Sequence, residues 1–323
     1  MKIIGPELLV FGVDQLPACS QFLTDYGLKP VGVDARGGRY EALDGTAVEV
    51  RAIDDPSLPP ALGTGNMFRE VVYGVQDAAS LAAIRAELSK DRDVQLRADG
   101  SMTCVDDSGF ALRFQLSVRR PYQAPPALVN APGQAPQRGP NLSAVDPAYR
   151  PLPRTLSHVV FFVPDAARAE AFYERIGFKT TDRFAGVGPF MRPAGTLDHH
   201  TLFLIQTPPF MRGVEHFTFH MGSINEVLVA GYALVKRGYQ SFWGPGRHIF
   251  GSNWFWYFNS PLGVHIEYDA DMDLHDDAWV AREAPIGTDT SQIFHFSARD
   301  KFLPGGPPPG GAPGGVPPGG GGH

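Results

Sequence analysis

Apolar runs and short helical stretches alternate along the chain, and the pattern in the first half returns in the second. Leu8-Leu9-Val10-Phe11-Gly12-Val13-Asp14 is matched by His158-Val159-Val160-Phe161-Phe162-Val163-Pro164. Phe22 and Gly27 follow Val13 at offsets that Phe172 and Gly177 repeat after Val163. Each copy predicts a β-branched strand and then a helix of about ten residues closed by a C-cap glycine. A second pairing sets Phe68-Arg69-Glu70-Val71-Val72-Tyr73 against Val214-Glu215-His216-Phe217-Thr218-Phe219. Both runs lead into further predicted helices, over Ala78–Leu88 and Ile224–Arg237. A third sets Gly109-Phe110-Ala111-Leu112-Arg113-Phe114 against Gly263-Val264-His265-Ile266-Glu267-Tyr268, each a strand after a turn.

This order, βαβββ–βαβββ in each half, predicts an α+β fold of paired modules in two tandem domains. The expected boundaries are an N-terminal domain over 1–119, a linker over 120–153 and a C-terminal domain over 154–270. An extension over 271–303 and a Gly/Pro-rich disordered tail over 304–323 follow. Nine prolines between Pro121 and Pro153, with no hydrophobic period, make 120–153 a linker and not an element.

Composition narrows the function. The 323 residues carry a net charge of −6, a poor basis for binding nucleic acid or an anionic membrane. No apolar run approaches the roughly 18 residues needed to span a bilayer. Met1-Lys2-Ile3-Ile4-Gly5-Pro6-Glu7 is interrupted too early for a secretory signal. Cys19 and Cys104 cannot build a disulfide framework. A cytoplasmic protein without nucleic-acid or membrane partners is expected.

All ten histidines, from His158 onward, and all four tryptophans lie in the second half. Imidazole is the commonest transition-metal ligand and the usual acid/base near neutral pH, so any chemistry belongs there. At the three aligned positions the second half has His158, His216 and Glu267, and the first has Leu8, Glu70 and Arg113. Two imidazoles and one carboxylate with open positions are the facial triad of non-haem Fe(II) sites. Leucine cannot ligate, and arginine repels a divalent ion. One half is therefore expected to hold metal and the other to be scaffold.

The repeat resembles the vicinal oxygen chelate superfamily, of glyoxalase/extradiol dioxygenase-like fold, in which paired modules curl a mixed sheet around a cavity. The fuller resemblance, over residues 5–118 and 154–270, is to type I extradiol ring-cleaving dioxygenases of the catechol and 2,3-dihydroxybiphenyl group. It rests on Asp198-His199-His200-Thr201, on Gly246-Arg247-His248, on Tyr257, and on Pro261-Leu262-Gly263-Val264-His265-Ile266-Glu267-Tyr268. It implies His158, His216 and Glu267 as ligands of Fe(II), with Mn(II) able to stand in. It implies His200 as the proton-transfer residue, and His248 and Tyr257 as contacts to the substrate and intermediate. The implied reaction is meta-cleavage of a small aromatic diol by O2, in aromatic hydrocarbon catabolism, by a homo-oligomer. The alternative is an O2-independent metal-dependent lyase or isomerase of the same superfamily.

One place departs from the biphenyl-type pattern. Gly251 stands where an Asp commonly follows the Gly-Arg-His histidine by three places. The hydrogen bond behind His248 then falls to another residue, with Asn253 the candidate. His220 and His265 share strand faces with His216 and Glu267 and are neighbours more than ligands. His199 is expected to point away from the cavity that His200 enters. The aromatics Trp254, Phe255, Trp256 and Phe258 suit a core, and also the wall of a pocket for an aromatic substrate. The acidic run from Asp269 to Asp277 lacks a calcium loop's central Gly and terminal Glu, and is expected to be a solvated segment.

Overall fold

The computed structural model describes residues 1–144, 146 and 148–296, and the expected disordered tail over 304–323 lies outside them. The first half runs β1 (Ile3–Val13), α1 (Leu16–Tyr26), β2 (Lys29–Asp34), β3 (Gly37–Glu41), β4 (Ala47–Ala52), β5 (Phe68–Val75), α2 (Ala78–Leu88), β6 (Gln95–Leu96), β7 (Met102–Val105) and β8 (Ala111–Leu116). The second runs β9 (Thr155–Val163), α3 (Ala166–Arg175), β10 (Phe178–Ala185), β11 (Gly188–Pro193), β12 (Leu202–Gln206), β13 (Gly213–His220), α4 (Ile224–Lys236), β14 (Ser241–His248), β15 (Trp254–Asn259) and β16 (His265–Ala270). An appended piece adds β17 (Arg282–Pro285), α5 (Thr288–Ser291) and β18 (Gln292–His295). Among the described residues, 117–154 hold neither strand nor helix.

Local chemistry sets the helix ends. Asp77, Asp165 and Ser223 accept hydrogen bonds from main-chain N–H groups three residues on, starting α2, α3 and α4. Gly27 ends α1 at φ 107°, where any side chain would be strained, and lets Leu28 donate back to the Leu23 carbonyl.

The strands form two sheets, ordered β2-β3-β4-β1-β5-β8-β7-β6 and β17-β10-β11-β12-β9-β13-β16-β15-β14-β18. In both, two βαβββ modules meet at antiparallel first strands, β1 with β5 and β9 with β13. Strand alternation then divides each sheet between two environments. On β9, Val159, Phe161 and Val163 enter a core shared by the halves, where Phe161 packs 4.5 Å from Phe110 and 5.5 Å from Phe68. His158 and Val160 face the other way, into the curl of the second sheet.

The appended piece joins opposite edges of that sheet. β17 pairs with β10 and β18 with β14, so residues 282–295 run from one margin to the other. The acidic run before it is not uniformly solvated. Asp269 and Ala270 are buried at the end of β16 and His275 is buried beyond it, while Asp271, Asp276 and Asp277 are exposed. The difference is register: Asp269 lies on the Glu267 face of β16 and meets His220 at 2.7 Å. No helix among the described residues is long and apolar enough to cross a membrane.

Candidate metal centre and active site

Three neighbouring strands build the site. Thr218 on β13 lies opposite His158 of β9 on one side and Glu267 of β16 on the other. Residues two apart on a strand share a face, so His216 joins this surface. His158, His216 and Glu267 each offer one ligand atom within 4.8 Å of the others, and all three are buried. Nε2 of His158 is 3.2 Å and Nε2 of His216 is 3.6 Å from Oε2 of Glu267. Thr218 lies between them, its hydroxyl 2.9 Å from His158 Nε2 and hydrogen-bonded to Glu267.

The rings are aimed by what holds their other nitrogens. His158 Nδ1 meets the Ser157 hydroxyl at 2.9 Å, and that hydroxyl donates to Asp269 at 3.3 Å. His216 Nδ1 donates to Glu215, which sits at a break in the β9–β13 register and also accepts from His265 Nδ1 at 2.7 Å. Protons on both Nδ1 atoms leave both Nε2 lone pairs aimed at the cluster, the arrangement that metal-bound imidazoles use. His216 Nε2 and Glu267 Oε1 are buried and have no hydrogen-bond partner among the described residues. Burial alone would raise the Glu267 carboxyl, but the neighbouring imidazoles of His158 and His248 outweigh it and hold it well below the usual range. A buried carboxylate beside two imidazole lone pairs, with two atoms left orphaned, fits a divalent transition-metal ion.

His158 and His216 line a cavity, with Glu267 within ligand distance of both. The His200 ring packs 4.3 Å from His158, and burial, then the neighbouring His158, push its imidazole well below the ordinary range. The Tyr257 hydroxyl is 3.3 Å from His248 Nε2, which lies 3.8 Å from Glu267 Oε1. Five of the six residues expected at the site line this cavity, and the sixth, Glu267, adjoins His158 and His216. Its walls are Phe184, Phe190, Phe203, Phe250 and Trp243, and among the described residues neither Lys nor Arg lines it.

Several neighbours differ from expectation. The side chain behind His248 is not that of Asn253. His248 Nδ1 instead faces the Ser291 carbonyl at 3.3 Å, while Asn253 takes the His248 main-chain N–H on its own carbonyl and sends Nδ2 toward Asp269. Of the expected aromatic run, Trp256 and Phe258 enter the shared core and Phe255 packs against Trp243 and His248, so the cavity wall is drawn mainly from β10–β12. His220 and His265 pair with carboxylates outside the cluster. His199 points away from the cavity, as alternation requires, and meets Asp182 at 2.7 Å.

Asp182 and Arg282, absent from the sequence reading, complete that contact. Burial would raise the Asp182 carboxyl, but hydrogen bonds from His199 and Arg282 hold it at about 2. A depressed folded pKa contributes stability that is present above the usual carboxylate range and is lost as pH falls toward 2. The difference in unfolding free energy between wild type and Asp182→Asn is expected to shrink by about 2 kcal/mol between pH 6 and pH 2. Urea titrations at a series of pH values measure it, and a pH-independent difference would count against this account.

The first half shows what the same positions become without ligands. Leu8, Val72 and Arg113 lie in the register of His158, Thr218 and Glu267. Arg113 Nε is 3.1 Å from Glu70, the counterpart of His216. A guanidinium from within the chain balances that carboxylate, and Leu8, Val10, Ala47 and Val72 fill the adjoining space.

Residues 155–268 match the family model of the Glyoxalase/Bleomycin resistance protein/Dioxygenase superfamily. The C-terminal half of the chain is similar to this superfamily. The chain is 38% identical over 152 residues to Metapyrocatechase 2 of Cupriavidus necator, a match covering 47% of this chain and 46% of that protein. It thus spans less than half the length of that relative. It is 26% identical over 322 residues to Biphenyl-2,3-diol 1,2-dioxygenase of Paraburkholderia xenovorans, covering 93% and 98%. The fold superposes on a Mn(II)-bound glyoxalase from Novosphingobium aromaticivorans with a TM-score of 0.72 at 20% identity, covering 96% and 97%. It also superposes on 2,2',3-trihydroxybiphenyl 1,2-dioxygenase from Sphingomonas wittichii with a TM-score of 0.67 at 18% identity, covering 94% and 100%. The α+β architecture of paired modules is the fold of these glyoxalase and dioxygenase structures.

Proposed function

We propose that this protein is an extradiol dioxygenase, which opens the ring of a catechol-type substrate with O2 beside the hydroxyl pair. The observation that carries the reading is the buried His158–His216–Glu267 face, with its orphaned Nε2 and Oε1 atoms, under an aromatic cavity that also holds His200, His248 and Tyr257. The relatives named metapyrocatechase and biphenyl-2,3-diol dioxygenase support it. His158, His216 and Glu267 would hold Fe(II), with Mn(II) able to stand in. Such an ion, when bound, supplies chelation of two vicinal oxygens and a site at which O2 is activated.

The chain's own residues do the rest. Three protein ligands on one sheet face leave the opposite side open to a diol. Tyr257 and His248, hydrogen-bonded to each other, stand where they orient a substrate hydroxyl. His200, neutral and buried, can take a proton from the ring hydroxyl. The phenylalanine walls and Trp243 exclude water and stack on the ring. The half over 1–119 acts as a metal-free scaffold.

The walls also select among catechols. A carboxylate on the ring would be desolvated there without a cation to meet it, which costs several kcal/mol. Catechols with small neutral or alkyl substituents are therefore expected to exceed carboxylated ones in kcat/KM by about 10²-fold or more. The test is O2 uptake by anaerobically purified, Fe(II)-reconstituted protein across such a panel, with the coloured ring-fission product followed in parallel. O2 consumed in step with product supports the dioxygenase. Metal binding without O2 uptake from any diol would favour the lyase or isomerase reading, and a preference for carboxylated diols would overturn the assigned walls.

A further inference from the structure

Behind His200 lies a line of polar groups that the proposed reaction has not used. His199 Nδ1 is 2.9 Å from His200 Nδ1, and His199 Nε2 is 2.7 Å from Asp182 Oδ2. The second oxygen of Asp182 accepts from the main-chain N–H of Arg282 at 2.8 Å and from its Nε at 3.0 Å, while Nη2 reaches Oδ2 at 2.6 Å. His199 and Asp182 are wholly buried. Arg282 is placed by register, since β17 pairs with β10 with Arg282 directly opposite Asp182. Its guanidinium also lies over the rings of Phe250, at 4.9 Å, and Trp279, at 5.0 Å.

Proton counting along this line has one economical solution. An ionised carboxylate only accepts, so the hydrogen toward Asp182 resides on His199 Nε2. Arg282 already balances the charge of Asp182, so nothing requires His199 to become a buried cation. A neutral His199 with its hydrogen on Nε2 presents a lone pair at Nδ1. One hydrogen must lie between the two Nδ1 atoms, and it is therefore carried by His200. No hydrogen bond engages His200 Nε2 among the described residues, and the ring lines the cavity.

We propose that Arg282, Asp182 and His199 form a buried positioning relay that fixes His200 as its Nδ1–H tautomer, with a bare Nε2 presented to the cavity as a base. The proposal rests on the dioxygenase reading only for what His200 then acts upon. With a catechol in place, the substrate O–H bond breaks and an N–H bond forms at Nε2. The positive charge left on His200 is met through Nδ1–H by His199 and beyond it by Asp182. No other bond changes in that step. The arrangement makes the appended strand β17 part of the catalytic machinery, although Arg282 is a positioning residue and touches no substrate.

The test has a spectroscopic arm and a kinetic arm. In protein labelled with ¹⁵N-histidine and loaded with diamagnetic Zn(II), long-range ¹H–¹⁵N correlations report which nitrogen of each imidazole is protonated. His200 is expected to show Nδ1–H, with that preference lost in His199→Leu. An Nε2–H pattern in the wild type would overturn the relay. In the Fe(II) enzyme, His199→Leu is expected to lower kcat by about 10–100-fold with KM for catechol within about twofold. His199→Asn, whose Oδ1 can replace Nδ1 as acceptor, should recover much of that loss. Wild-type kcat in a folded His199→Leu would also overturn the proposal. Should that variant fail to fold, the wild-type spectrum and the kcat of Arg282→Gln decide. The Nδ1–H spectrum in a protein that consumes no O2 would leave the relay standing while the dioxygenase reading falls.

Discussion

His216→Ala is expected to leave the protein without bound metal and to lower ring-cleaving turnover by at least about 10³-fold, roughly 4 kcal/mol. Of the expected ligands, His216 has the most isolated ligand atom. Its Nε2 is buried without a hydrogen bond, whereas His158 Nε2 is met by Thr218. Removing it also takes away one of the two imidazole donors to Glu215. Two remaining ligands cannot match the affinity of three on one face. The measurement is metal content after equilibration with Fe(II), paired with O2 uptake. Urea denaturation of metal-free wild type and variant shows whether the fold is intact. A folded variant that keeps stoichiometric metal would remove His216 from the ligand set.

Tyr26→Ala should destabilise the protein by about 4 kcal/mol, a large share of the stability of an ordinary domain. Tyr26 ends α1 in the first half yet is buried against the second. Its ring stacks on Tyr268 at 4.0 Å with the planes 5° apart, and its hydroxyl donates to the main-chain carbonyl of Glu267. Tyr268 returns a hydrogen bond to the Tyr26 carbonyl. Truncation opens a cavity and strands a buried carbonyl on the strand that carries a candidate ligand. Tyr26→Phe keeps the ring and loses only the hydrogen bond, and should cost about 1 kcal/mol. Equal denaturation midpoints for the two variants would show that ring packing contributes nothing here.

Much of this was legible in the sequence because strands have a period of two and the chain repeats itself. Once His158, His216 and Glu267 occupied matched positions in copies of one module, alternation alone put their side chains on one face. Leu8 and Arg113 stand where the second half has His158 and Glu267, and Arg113 pairs with Glu70. Asp182 and Arg282 were not legible, because the contact depends on an edge pairing between strands a hundred residues apart. Ser291 could not have been found at all, since it offers His248 a main-chain carbonyl, which every residue has. Asn253 was a misleading candidate because closeness in sequence says little about which side chain reaches across a turn.

The piece that runs between the margins of the second sheet has a consequence for the order in which the molecule is made. Protein domains form largely as the chain is synthesised, N-terminal portions first. The first half is therefore translated before any of the expected ligands, and the core it shares with the second half closes only afterwards. His158, His216 and Glu267 follow, and their sheet can assemble with both margins still bare. Arg282 and Ser291 leave the ribosome later still, on the short segment that covers those margins and reaches Asp182 and His248. The nascent protein thus passes through a stage in which the His158–His216–Glu267 face can exist before Arg282 has reached Asp182. Maturation ends when the last strands dock.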